Sequence, residues 1–147
     1  LELAAEINGV RIYNDNNATT PTATATGVKA VASGKNVVLI MGGADKGLDT
    51  TSLEEVITAH VKALVLIPGT GTDTFLRTIE TATIPVNWNS VASLEEALAA
   101  ACSTAVAGDT ILFSPAFASF GMFKNEYERN DLFMKLVHEL EHDEGEA

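Results

Sequence analysis

The chain has 147 residues, 46% of them hydrophobic, which suits one domain with a sizeable core and excludes a disordered chain. Its formal net charge is −11, with 20 Asp and Glu against 9 scattered Lys and Arg, so a nucleic-acid binder built on basic clusters is excluded. The single cysteine leaves no intramolecular disulfide, and no apolar run approaches the roughly 20 residues that span a bilayer.

These bounds predict a single domain over residues 1–147, cytoplasmic, with no nucleic-acid or membrane partner. The opening Leu1-Glu2-Leu3 reads as if cut from something longer, and no element is assigned before Gly9. Gly9 to Tyr13 reads as a strand, and Pro21 to Ala32 as a helix with Thr20 as its cap and Pro21 at its first position. Asn36 to Met41 is a continuous apolar, β-branched run, hence a strand buried on both faces. Leu53 to His60 has helical spacing, with Thr51 or Ser52 as cap. Lys62 to Ile67 is the next strand, followed by a helix near Thr72–Ile79 and a short strand at Val86 to Trp88. Ser93-Leu94-Glu95-Glu96 resembles a capping box and starts an Ala-rich helix. Cys102 lies in that helix as a small buried hydrophobe rather than a nucleophile. The strand Thr110–Phe113 and a last helix over Asp131 to Leu140 complete the order.

Strand–helix alternation with short links specifies an α/β fold: a mostly parallel sheet of about five or six strands with helices on both faces. Ligands in such sheets bind beyond the carboxyl ends of the strands. That rule selects three loops: Asn14–Thr20, Gly42–Asp49 and Ser114–Lys124. The first is a row of amides and a carboxylate, suited to Asx turns, with Asp15 free to meet a ribose hydroxyl or a metal-bound phosphate. In the second, glycines flank Lys46, a point positive charge for a carboxylate or phosphate, or else a surface lysine in a turn. Neither GxGxxG nor GxxxxGK[ST] occurs. The third offers the Ser119 hydroxyl and outward backbone N–H groups at a helix start, an anion receptor, or else an ordinary N-cap at Ser119. Phe123 fits core packing, and Lys124, Glu126, Glu128 and Arg129 read as a solvated helix face.

With these loops, the chain resembles the C-terminal domain of the Mur ligases, and most of all their D-glutamate-adding branch. The resemblance covers essentially the whole chain. The family's Asp-Ser-Lys-Ala-Thr-Asn appears as Asp15-Asn16-Asn17-Ala18-Thr19-Thr20, and its Gly-Gly-x-x-Lys-Gly loop as Gly42 to Gly47. Its Ser-Pro-Ala-x-Ala-Ser, Phe-Lys-Asn and Glu-x-Arg-Gly appear within Ser114 to Asn130.

The resemblance implies a Rossmann-like domain that supplies the amino-acid site of a three-domain, ATP-dependent ligase of peptidoglycan synthesis. ATP would phosphorylate the carboxylate of UDP-N-acetylmuramoyl-L-alanine, and the amine of D-glutamate would attack the acyl phosphate. Lys46, Thr19 and Ser119, with the backbone at Phe120, would hold the D-glutamate carboxylates; Asp15 would face the ATP ribose, and Asn17 would stand at the phosphates. The phosphate loop and the Mg²⁺ ligands belong to the family's first two domains. The 147 residues alone are therefore expected to bind neither ATP nor metal and to carry no catalytic residue of their own.

Four positions depart from the family pattern. Asn16 and Asn17 replace Ser and Lys, Asn130 replaces Gly, and Glu126 stands where an aromatic side chain often lines the amino-acid pocket. Asn17 donates a hydrogen bond but supplies no charge. Tyr127 is adjacent to Glu126, but one helical step turns a side chain by about 100°. A related ligase domain for another amino acid, a folylpolyglutamate-synthase-like domain, or a free-standing small-anion-binding module remain the alternatives.

Overall fold

The strand–helix alternation folds into a six-stranded sheet in the computed structural model, which describes residues 1–119 and 121–146. The elements are β1 (Glu2–Ile7), β2 (Val10–Asn14), α1 (Pro21–Val31), β3 (Val37–Met41), α2 (Thr51–His60) and β4 (Val61–Leu66). They continue with α3 (Thr70–Ala82), β5 (Asn87–Ser90), α4 (Leu94–Thr104), β6 (Thr110–Phe113) and α5 (Glu126–Glu146). The sheet order is β1-β2-β6-β3-β4-β5, antiparallel only between β1 and β2. This is the expected α/β, Rossmann-like architecture, with helices on both faces.

The apolar runs explain the two-sided burial. Every residue of β3 is fully buried, and the pleat sends alternate side chains to opposite faces. Val38 and Ile40 join a core with α4 and α5 through Leu94, Leu98, Phe133 and Val137. Val37, Leu39 and Met41 join the other core with α1, α2 and α3 through Val28, Ile57 and Phe75. Phe113 stacks on Phe133 with ring centroids 4.5 Å apart, fixing α5 against β6.

Two ends of the chain differ from the sequence expectation. Glu2–Ile7 is a strand, joined to β2 by the two-residue turn Asn8-Gly9 with φ of 53° and 80°. Both residues are left-handed, which is the geometry that favours Asn-Gly in a tight hairpin. The last helix starts at Glu126 rather than Asp131. The caps of α1 and α4 are as expected: Thr20 accepts from the Ala23 N–H and Ser93 from the Glu96 N–H. Helix α2 is started differently, since Asp49, not Thr51 or Ser52, accepts from the Thr51 N–H at 3.1 Å. Cys102 is half-buried rather than a core residue. Among the described residues, no helix is long and apolar enough to cross a membrane.

The topology places the site. The crossover from β2 through α1 to β3 leaves a slot that β6 fills, so β2, β6 and β3 are neighbours. Their carboxyl ends, and the three loops that leave them, therefore lie side by side.

Candidate functional site

Backbone pairing knits the three loops together. Ala44 and Ala118 exchange hydrogen bonds of 2.9 and 3.2 Å, and the Gly42 N–H donates to the Pro115 carbonyl at 2.9 Å. The Ala116 N–H donates to the Ala18 carbonyl at 2.9 Å, so the β6 loop holds both of its neighbours. Gly43, at φ 145°, is packed so closely on the Ala118 carbonyl that any Cβ would collide with it.

Around this scaffold, Asn17, Thr19, Lys46, Ala118, Ser119, Glu126 and Tyr127 line an open cleft of about 500 Å³. The structure thus brings together four of the residues singled out from the sequence, one or two from each loop. Lys46 sits at the tip of an Asx turn in which Asp45 accepts from the Gly47 N–H at 2.8 Å. Its side chain is exposed and makes no ion pair among the described residues. Ser119 is only 6% exposed, so its position is set by packing. Phe120 lies outside the described residues.

Asp15 does not line this cleft. It borders a smaller one of about 240 Å³ with Asn14, Asn16, Asn17 and Asn130. The Ser114 hydroxyl lies 2.8 Å from both Asp15 Oδ2 and Thr24 Oγ1. The Ser114 hydroxyl donates to Asp15 Oδ2, and the Thr24 hydroxyl donates to the Ser114 carbonyl at 3.3 Å. One Asp15 oxygen is therefore committed to holding the β6 loop.

Two sequence expectations are corrected here. Ser119 is not the N-cap of the last helix, because α5 begins seven residues later, where Asn125 Oδ1 accepts from the Glu128 N–H at 2.9 Å. Ser119 therefore contributes its hydroxyl from a loop, without the helix dipole behind it. Arg129 is not on a solvated face; it is fully buried. Its Nε donates to Asn16 Oδ1 at 2.7 Å, Nη2 to the Asn16 carbonyl at 3.0 Å and Nη1 to the Phe117 carbonyl at 3.3 Å. Burial pulls its pKa down to about 10, with the nearby Glu126 charge opposing the shift. The sequence carried the signal: Arg129 stands four, seven and eight residues before Phe133, Leu136 and Val137, on the buried stripe of α5.

Asn16 is also buried; its amide donates to the Glu126 carbonyl at 2.9 Å. Asn14 Oδ1 accepts from the Asn16 N–H at 3.0 Å, and Asn14 Nδ2 donates to Asn130 Oδ1 at 2.8 Å. The row of amides is thus mostly internal scaffolding, and Asn17 is the exposed member that faces the large cleft.

Fold and site together define an α/β domain whose polar cleft, at the carboxyl edge of a mostly parallel sheet, is lined, among the described residues, by an unpaired ammonium and by hydroxyls. A model of the Mur ligase, glutamate ligase domain, matches residues 1–117, and the chain belongs to that family. It is 40% identical to the UDP-N-acetylmuramoylalanine–D-glutamate ligase of Acetivibrio thermocellus, over 96% of this chain and 31% of that protein. The enzyme of the same name from Clostridium botulinum is 41% identical over 95% of this chain and 31% of its own length. The chain therefore spans about a third of the relatives it matches. Among solved structures, a murein peptide ligase from Psychrobacter arcticus superposes with a TM-score of 0.63 at 18% identity, over 92% of this chain and 29% of that one, a likeness of fold.

Proposed function

We propose that these 147 residues are the amino-acid-binding domain of a longer, ATP-dependent ligase that joins D-glutamate to UDP-N-acetylmuramoyl-L-alanine. The observation that carries this reading is the convergence of Lys46, Thr19 and Ser119 on one cleft, in a chain about 40% identical to ligases of that name. Lys46 supplies the charge for one carboxylate of D-glutamate, and the Thr19 and Ser119 hydroxyls donate to its carboxylate oxygens. Phe120 follows Ser119 in the sequence, and its backbone is proposed to assist there.

Asp15 and Asn17 border the smaller cleft, which is assigned to the nucleotide. Asp15 Oδ1, which lies 3.5 Å from the Leu1 nitrogen, is the oxygen assigned to a ribose hydroxyl, and the Asn17 amide donates to phosphate oxygen. The phosphate cradle and Mg²⁺ come from the rest of the protein, since phosphoryl transfer needs both together. Within the assembled site, ATP phosphorylates the carboxylate of the sugar peptide. The neutral amine of D-glutamate attacks the acyl carbon, the C–N bond forms, phosphate departs with the C–O electron pair, and the nitrogen gives up one proton to leave the amide. The domain's role is to hold that amine in line. The reaction belongs to peptidoglycan synthesis and to the cytoplasm, where its nucleotide substrates are used.

Glu126 supports a second reading, in which the amino acid is not D-glutamate, because it adds a carboxylate to the cleft wall. The longer protein, given ATP, UDP-N-acetylmuramoyl-L-alanine and a panel of D- and L-amino acids, decides between them. Phosphate release that depends on D-glutamate is the expected result; preference for a neutral or basic amino acid overturns the assignment.

A further inference from the structure

Among the described residues, Arg129 is the largest fully buried side chain, and no carboxylate lies within 4.0 Å of it. Its acceptors are instead two carbonyls and one amide oxygen, from Asn16 and Phe117. A buried cation held only by neutral groups is poor value for stability, since an apolar side chain of similar volume usually serves a core at least as well. All three bonds reach loops that wall the cleft. Asn16 directly precedes Asn17 and is three residues from Thr19; Phe117 is two residues from Ser119.

We infer that Arg129 and Asn16 form a latch that sets the spacing of the Asn17–Thr19 wall against the Ser119 wall, with Arg129 acting as a positioning residue. The latch is completed from α5. The Asn16 amide donates to the Glu126 carbonyl in the first turn, and Asn14 donates to Asn130 one turn on. Asn16 and Asn130, two departures from the family pattern, thus stand in a single hydrogen-bonded cluster. An Asn at 16 reaches both the guanidinium and the Glu126 carbonyl. A Ser side chain has one oxygen and one proton, and is too short to bridge the same two groups from the same backbone. The depressed pKa of Arg129 agrees with the cost of keeping this charge buried.

The test uses the longer protein and has two arms. In the kinetic arm, which rests on the ligase reading, Asn16→Ala and Arg129→Lys are expected to raise the KM for D-glutamate about 10-fold or more, the scale of one lost charge-assisted hydrogen bond, with a smaller change in kcat. Asn16→Asp keeps an acceptor for Arg129 Nε and is expected to restore KM to within about threefold of the parent value. In the second arm, amide hydrogen exchange at Asn16–Thr19 and Phe117–Ser119 is measured without substrate. Asn16→Ala should speed exchange in both segments together by about 10-fold, while β3 and β4 keep their protection.

Exchange that rises in one segment alone, or KM unchanged in a folded Asn16→Ala protein, overturns the latch and leaves Arg129 a core residue. Loss of stability without rescue by Asn16→Asp overturns it equally. A parent protein without D-glutamate activity would sink the ligase reading, yet the exchange arm would still decide the latch.

Discussion

Lys46 is the cation lining the cleft and Glu126 the carboxylate lining it, and under the proposed function the pair sets what the cleft prefers. Lys46→Ala removes a charge-assisted bond worth about 1.5–3 kcal/mol, or roughly 10–150-fold. Steady-state kinetics on the longer protein are expected to show that loss in the use of D-glutamate, with the KM for ATP little changed. An unchanged KM for D-glutamate would return Lys46 to the surface of a glycine turn. Glu126 has the opposite sign of effect. Glu126→Gln removes a like charge facing the substrate carboxylates, an exposed interaction of about 0.7 kcal/mol. Preference for D-glutamate over D-glutamine should then rise by about threefold, as read from the ratio of kcat/KM values. A fall in that ratio would mean that Glu126 holds the substrate ammonium instead.

At the level of elements, the Phe113–Phe133 stack is one of several contacts that fix α5 to the sheet. Phe133→Ala leaves a void beside Phe113 and is expected to cost about 3–5 kcal/mol in chemical unfolding, the scale for a buried Phe. Helix α2 depends on a carboxylate rather than a hydroxyl at its start. The side-chain and backbone bonds from Thr51 hold the pKa of Asp49 below its ordinary value. A depressed carboxylate pKa contributes stability above the unfolded-state value, and that stability is lost as pH falls through the folded pKa. The Thr51 amide signal should therefore titrate in acid, and Asp49→Asn should abolish that titration. The sequence made β3, β4 and β6 legible because two-sided burial leaves continuous apolar runs. It also made the caps at Thr20 and Ser93 legible, because capping is local chemistry. β1 was not read, since its alternation is weak, although Asn8-Gly9 is a strong turn signal. The convergence of the three loops was readable from the rule that ligands bind beyond strand carboxyl ends; the spacing on α5 signalled that Arg129 is buried, but its bonds to Asn16 were not legible, because they join residues 113 apart.

At the scale of the molecule, both cores are closed by the chain's own helices, and the described residues leave no buried side-chain nitrogen or oxygen without a partner. The 147 residues are therefore expected to unfold in urea in one cooperative transition, as single domains of this size do. Their affinity for D-glutamate is a separate matter. The wall between Lys46 and Ser119 is already assembled by the Ala44–Ala118 bridge, so part of the proposed anion site exists before any ligand arrives. The cleft is open to water, however, and exposed charges are worth little until solvent is excluded. Closure against the rest of the ligase would supply that exclusion, as lids and domains do in many enzymes. The isolated chain should consequently bind D-glutamate in the millimolar range, about 4 kcal/mol of binding free energy. A chemical-shift titration is expected to move the amides of Gly42–Gly47, Ala118, Ser119 and Tyr127 together along one saturation curve. Micromolar binding would show that the domain needs no closure, and shifts confined to the exposed β5 edge around Trp88 would place the amino-acid site elsewhere on the sheet.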